Sequence, residues 1–269
     1  MTKAEKVKAI LDQRGKVQTE IAEVNKNGTE LQAIVIGTGE IRATVYPDIW
    51  EEVPEEEIAD EIEKISLEEV LNLDTKRVKD WEEGKKHCRV VARPVTNDGA
   101  VTMPFLDIEL YVQIRFNETH STKVNEQILE QYGITKEQLF VDANNAQVYT
   151  VEKLADRIKR LSKECGEEFP DFGFDEVPLL YISNEDGFNG AGAIYNQSAW
   201  EMIAHVLGKD IYILPSSIHE LIVHPVDKDI ELQMLREMVK TINGDMSPEE
   251  FLSDSVYIYK KDKRTIEIA

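Results

Sequence analysis

The sequence predicts an α+β protein, with an N-terminal antiparallel meander accompanied by helices and a mixed, α/β-like C-terminal portion. Two observations carry that reading. Near the N-terminus, short β-rich runs follow one another across turn residues, as the strands of a meander do. Towards the C-terminus, apolar runs of strand length alternate with segments of helical periodicity and close on two further β-rich runs. A chain of 269 residues can bury a core as one large domain or two smaller ones. The division expected is an N-terminal portion over 1–166 and a C-terminal portion over 167–269, because residues 167–178 have no period and read as a linker.

The elements follow in order. Val7, Ile10 and Leu11 have helical spacing within 3–13, and Gly15 is a stop. Runs over 17–24 and 31–36 flank Asn25-Lys-Asn-Gly28, a hairpin turn, and 41–46 gives a third strand. Pro54 with Glu55, Glu56 and Glu57 starts a helix, since early carboxylates suit the positive end of the macrodipole. Ile58, Ile62 and Ile65 lie on one face of it. Ser66 and Glu69 have the spacing of a capping box that opens a further helix. Runs over 90–95 and 106–116 read as strands on either side of the turn-rich Asn97-Asp-Gly99. In the second, Asp107 and Glu109 alternate with Ile108, Leu110 and Val112, which predicts one wet face. Helical patterns then cover 122–131, 135–147 and 151–163, with Gly133 between the first two.

The C-terminal portion opens with a strand at 179–182, a loop from Asn184 to Gly190 and a small-residue strand ending at Tyr195. A helix over 198–207 stops at Gly208, and a strand follows at 211–214. A helix over 229–242 precedes Gly244, and Ser247 begins a short one. Runs at 256–259 and 265–268 form a last hairpin, whose tip carries Lys260, Lys261, Lys263 and Arg264.

Charge excludes some functions. The formal net charge of -21 repels nucleic acid and anionic membranes, so direct nucleic-acid binding is not expected. No apolar run approaches the roughly 20 residues that a spanning helix needs, and the N-terminus lacks the apolar core of a signal peptide. Cys88 and Cys165 stand alone and read as free thiols in a reducing compartment, so a cytoplasmic location is expected.

The stretch from Tyr212 to Pro225 concentrates nucleophile and base types between two apolar runs: Pro215-Ser-Ser-Ile-His-Glu220. A hydrolase would use Ser216 or Ser217 as nucleophile and His219 as base. Catalytic serine and histidine usually come from distant segments, and no Gly-x-Ser-x-Gly elbow surrounds either serine. Ser217 and Glu220 instead have capping-box spacing for a helical turn after Pro215. A metal site of His219, Glu220 and His224 fails on geometry. Histidines five apart are out of line by about 140° on a helix and lie on opposite faces of a strand. No metal and no cofactor is expected.

Other features have plainer readings beside the chemical ones. Gly187-Phe-Asn-Gly-Ala-Gly192 is not the dinucleotide fingerprint, because no helix follows it directly, and it reads as a hairpin loop. Asp107 and Glu109 on one strand face could bind a hard cation but read first as a solvated face. The acidic run over 48–69 could mimic phosphates towards a nucleic-acid-binding protein, but its isoleucine period marks amphipathic helices. Cys88, between His87 and Arg89, would be reactive if exposed; its place at the start of an apolar strand points to burial.

The segment from Asp210 to Pro225, followed by Leu252-Ser-Asp-Ser-Val-Tyr-Ile-Tyr259, resembles an uncharacterised bacterial family labelled domain of unknown function 5688. Val45 to Glu52 and Leu106-Asp-Ile-Glu-Leu-Tyr111 agree with it. The resemblance implies a cytosolic bacterial protein and marks the Pro-Ser-Ser-Ile-His-Glu block as a signature, but it supplies no activity. The function expected is therefore a non-catalytic binding or regulatory protein for a protein or small-molecule partner. Its candidate site is Ser216, Ser217, His219 and Glu220. The alternatives are the hydrolase and the acidic decoy.

Overall fold

The computed structural model describes residues 1–26, 29–37, 42–50, 52–68, 76–117, 120–166, 179–228 and 230–269. Helix α1 (Lys3–Arg14) begins on a reciprocal cap: the Glu5 amide donates to Thr2 Oγ1, and the Thr2 amide donates to the Glu5 carboxylate. Gly15 ends it in the left-handed conformation. Strands β1 (Thr19–Lys26), β2 (Thr29–Ile36) and β3 (Ala43–Val45) form an antiparallel sheet in that order, the expected meander. Residues 27 and 28 of the expected turn and Ile41 of the third run lie outside the described residues. Helix α2 (Glu55–Glu68) packs Ile58, Ala59 and Ile62 against Val7 and Leu11 of α1 and Ile34 and Ile36 of β2, which makes a separate N-terminal core. Ser66 is inside α2 and not at a new helix start, because the apolar stripe carries the helix past it; Glu69 lies outside the described residues.

The short helices α3 (Lys76–Lys79) and α4 (Trp81–Gly84) lead into a second sheet. It comprises β4 (Cys88–Pro94), β5 (Thr102–Phe105), β6 (Ile108–Arg115) and β7 (Ser121–Lys123). Strand β6 is central: β4 lies on one edge, and β5 and β7 share the other, all antiparallel. Helices α5 (Glu126–Tyr132) and α6 (Lys136–Ala146) start on Asn125 and Thr135, whose side chains accept from amides of the first turn. The third sheet is built from β8 (Tyr149–Lys153) and, after α7 (Leu154–Cys165), from β9 (Leu180–Asn184). After α8 (Gln197–Leu207) come β10 (Ile211–Pro215) and β11 (Leu221–Pro225). Helix α9 (Leu232–Gly244) and the hairpin of β12 (Tyr257–Lys260) and β13 (Thr265–Ile268) complete it. Its order is β13-β12-β10-β11-β9-β8, antiparallel throughout.

The six-stranded sheet obeys a strict alternation. Ile211, Ile213, Leu221, Val223, Tyr257 and Tyr259 face the largest core, which they share with β4, β6, α6 and α8. Tyr212, Leu214 and Ile258 face the other way, under Leu235 and Val239 of α9. Strand β8 precedes the expected 166/167 boundary yet forms an edge of the later sheet, and the largest core draws on both sides of that boundary. The expected linker at 167–178 lies outside the described residues.

Three further expectations are corrected. Residues 151–153, the start of the helix expected over 151–163, belong to strand β8, because they complete the edge of β9. The expected strand before Tyr195 is a 3-10 helix, Gly190–Tyr195, buried from Gly190 to Ile194. The segment is wedged between β4 and the β9–β11 pair. A Cβ on Gly192 would collide with the Val90 carbonyl, and one on Gly190 would lie 2.6 Å from the Asn184 nitrogen and 2.7 Å from the His219 oxygen. The glycines serve backbone approach, not a phosphate loop. Strand β6, finally, has no wet face: every residue from Ile108 to Ile114 is buried.

The polar side of β6 is covered because its charges are matched. Arg93, 1% exposed, donates Nε to Glu109 at 2.8 Å and two further nitrogens to Asp98 at 2.5 and 2.7 Å. Lys123 also reaches Asp98, and Arg93 lies 4.4 Å over the Tyr111 ring. Burial opposes ionisation of Asp98, but the hydrogen bonds from Arg93 and Lys123 override it and hold the carboxyl below its usual range. Its folded value is thus below the unfolded one. The stabilisation is complete above the unfolded pKa, about 4, and is lost as pH falls towards the folded value. Asp98→Asn, which leaves the buried Arg93 short of a partner, is expected to cost about 3 kcal/mol in urea unfolding at neutral pH. It should also flatten the acid limb of stability against pH; an unchanged acid limb would contradict the assignment.

Candidate functional site

The Pro-Ser-Ser-Ile-His-Glu block is the turn between β10 and β11, not a helical cap. Pro215 pairs in register with Leu221, so residues 216–220 must reverse the chain within five positions. Ser217 provides the closure. Its hydroxyl donates to Glu220 Oε1 at 2.9 Å and accepts from the His219 amide at 2.9 Å. The expected pairing of Ser217 with Glu220 therefore exists, but as a turn clamp; a helix cannot start here because Leu221 is already committed to the ladder with β9 and β10. The Ile218 amide donates to the Glu250 carbonyl at 2.8 Å, which ties the turn to the chain after α9.

This turn holds a second one. The carbonyls of Ile218 and His219 accept from the amides of Ala191 and Gly190, and Ser183 Oγ donates to the same His219 carbonyl at 2.8 Å. His219 Nδ1 accepts from the Asn189 amide at 3.0 Å, and the Phe188 ring lies on the imidazole with centroids 4.8 Å apart. Asn189 takes the left-handed conformation, φ 58°, which asparagine tolerates better than most residues. The His219 side chain thus fixes the orientation of the 184–190 loop.

That bond settles the tautomer of the neutral ring. An amide can only donate, so Nδ1 is bare and Nε2 carries the proton. A serine nucleophile needs the reverse, an Nε2 free to accept and an Nδ1–H directed at a carboxylate. Among the described residues no serine hydroxyl bonds to the His219 ring; Ser183 and Ser217 meet only its main chain. Ser216 is half-buried and its hydroxyl has no hydrogen-bond partner among them. His224 stands apart in β11, 3% exposed, with Nδ1 donating to the Pro225 carbonyl. Among the described residues no group of three or more His, Cys, Asp or Glu side chains converges as a metal site.

On its far side the 184–190 loop walls a cleft of about 410 Å³. The cleft lies where β4, the end of β6, the α6–β8 corner and this loop meet, and it is lined among others by Arg77, Lys86, Arg89, Arg115, Gln147 and Asp186. Arg89, 5% exposed, donates to the Phe188 carbonyl at 2.6 Å and to Asp186 at 3.3 Å. Arg115 pairs with the other oxygen of Asp186 at 2.5 Å. Burial pulls the Arg89 guanidinium down from its ordinary value; Asp186 opposes this, and the charge of Arg115 adds to it. Cys88 is on the cleft wall but buried, and burial pushes its thiol up to about 12, so it is not a nucleophile.

A family model matches residues 2–261. The chain belongs to the family of unknown function DUF5688. The resemblance carried by the Pro-Ser-Ser-Ile-His-Glu block therefore holds over nearly the whole chain. No curated protein and no solved structure matches it. Within this chain Ser217, His219 and Glu220 brace the loop that bounds the cleft.

Two other stretches with a chemical reading beside the plainer one have their side chains engaged. Asp107 lies in the turn before β6 and not on a strand face with Glu109. It accepts from Ser253, Ser255 and Tyr257 at 2.7–2.8 Å, and Glu109 is taken by Arg93, so the two do not form a cation site. In the acidic run, Glu55, Glu56, Asp60 and Glu63 pair with Lys6, Arg14 and Lys16 of the α1 region. Sequence reasoning missed the cleft. Its cations come from positions 77 to 115, and only the odd-numbered alternation of Arg89 and Arg93 along an apolar strand signalled a charged face.

If His219 orients the loop, His219→Ala leaves the Asn189 amide without its acceptor and Phe188 without its stacking partner. The expected cost is about 1–2 kcal/mol in urea unfolding, with faster hydrogen exchange confined to the 184–190 segment. Ser216→Ala should stay within about 0.5 kcal/mol of the parent. The opposite order of the two variants would contradict this reading.

Proposed function

We propose that this protein is a non-catalytic binding protein whose cleft beside the 184–190 loop receives a small anionic ligand. One observation carries the reading: in a chain of net charge -21, four cations, Arg77, Lys86, Arg89 and Arg115, line one cleft with the two carboxylates of Glu185 and Asp186, and Lys86 also pairs with a carboxylate from outside the cleft, Glu83. Screening limits the reach of the surrounding acidic surface to roughly 8 Å at physiological salt, so local charge decides what enters. The volume suits a metabolite-sized ligand. Guanidinium groups are planar forks that match carboxylate and phosphate oxygens. Asn117 and Gln147 add neutral polar groups to the cleft wall.

The tautomer of His219 and the buried thiol of Cys88 supply no activated nucleophile, which favours binding over hydrolysis. We infer a cytoplasmic location from the two unpaired cysteines; no helix among the described residues is long and apolar enough to cross a membrane. The net charge argues against direct contact with nucleic acid.

The test is thermal unfolding with inorganic phosphate against chloride at constant ionic strength. At about ten times Kd the stabilisation is about 1.4 kcal/mol, a rise of roughly 3–6 °C in Tm. Arg115→Gln, at a third-exposed side chain, should remove the rise. An equal rise in parent and variant would sink the assignment.

A further inference from the structure

The cleft already contains an anion, and it is part of the chain. Asp186 Oδ2 pairs with Arg115 and Oδ1 with Arg89, so one carboxylate lies between two guanidiniums. The charges do not balance: two cations face a single negative group, and Arg89 is almost fully buried, where water cannot supply the difference. Arg89 Nε is buried with no hydrogen-bond partner among the described residues, so this guanidinium has donor capacity that Asp186 does not use.

Asp186 is also replaceable within its own loop. Its second task is to accept from the Phe188 amide at 3.1 Å, but Asn184 Oδ1 accepts from the same amide at 3.1 Å. Asn184 Nδ2 and Arg89 both hold the Phe188 carbonyl, and His219 holds the Asn189 amide. These bonds remain when the Asp186 side chain turns away, and its side chain is one-third exposed. Gly187, in the left-handed conformation at φ 68°, gives the chain freedom next to it.

We propose that Asp186 is a built-in stand-in for the ligand: the cleft takes a dianionic group, both charges on one centre as in a phosphoryl group, which replaces the Asp186 carboxylate between Arg89 and Arg115. This rests on the cleft being an anion site. A free monocarboxylate only repeats what Asp186 offers, and Asp186 acts at the high effective concentration of a tethered group. A dianion brings the second charge that the guanidinium pair lacks and oxygens for the unused Arg89 donor. Asp186 therefore sets selectivity, rejecting monoanions and admitting dianions at reduced affinity.

Calorimetric titration with inorganic phosphate, at a pH where it is dianionic, tests this in the parent, Asp186→Asn, Asp186→Ser and Arg115→Gln proteins, with acetate as the monoanion at equal ionic strength. The parent is expected to bind phosphate and not acetate. Both Asp186 variants should bind phosphate about tenfold more tightly, because the competing latched state is gone, and Arg115→Gln should bind neither anion. If the parent binds phosphate through Arg115 but the Asp186 variants bind no more tightly, the stand-in is wrong and the anion cleft remains. If neither the parent nor the Asp186 variants bind phosphate, the cleft reading itself fails. Equal binding of acetate and phosphate by the parent overturns the dianion selectivity. Loss of folding in both Asp186 variants would show that Asp186 is a structural residue and overturn the proposal.

Discussion

The backbone of Gly192 lies against the Val90 carbonyl so closely that no Cβ fits between them, and this contact joins the two larger sheets. Gly190, two residues earlier, makes the equivalent approach to β9 and to the β10–β11 turn, where its amide donates to the His219 carbonyl. The 3-10 segment that carries both glycines is thus a backbone wedge between the sheet of β4 and the sheet of β9 and β11. The largest core closes around it, with Trp200 fully buried and its Nε1 donating to the Ile194 carbonyl at 3.0 Å. Side chains at 190 or 192 would force the sheets apart, and interiors at crystal-like density have no slack to absorb that.

The position of the cleft follows from the wedge. The loop before it, 184–189, projects from the end of β9 and is trapped between Arg89 on the second sheet and His219 in the β10–β11 turn of the third. Neither strand alone would hold a loop with left-handed residues at Gly187 and Asn189. Each end contributes a fixed group, and the seam between the sheets becomes a concave, cation-lined surface. The acidity of the molecule is dispersed by comparison: α2 spends much of its carboxylate charge on α1, and Asp98 and Glu109 are consumed by Arg93 inside the second sheet.

Most elements were legible from periodicity, punctuation and caps: α1 from Val7, Leu11 and Gly15, α8 from its stop at Gly208, the closing hairpin from its two β-rich runs. The failures share a cause. Alternation of Asp107, Glu109 and their apolar neighbours looked like a wet strand because partners such as Arg93 and Asp98 cannot be assigned until β4 and β6 are paired. The 3-10 wedge looked like a strand because its glycines answer to Val90 and His219, far away in sequence. In the Pro-Ser-Ser-Ile-His-Glu block the Ser217–Glu220 bond was readable from spacing, and the link from His219 to Asn189 was not, since it depends on β11 lying beside β9. The cleft was invisible for the same reason.

The central claim is that the under-neutralised pair of Arg89 and Arg115 is a receptor for a dianion. Anomalous scattering from crystals soaked in tungstate, a heavy phosphate-like dianion, tests it most directly. The account predicts a tungsten peak between the two guanidiniums, with the Asp186 side chain turned out of the cleft. Tungstate bound only at other basic positions, with Asp186 still bridging Arg89 and Arg115, would contradict it.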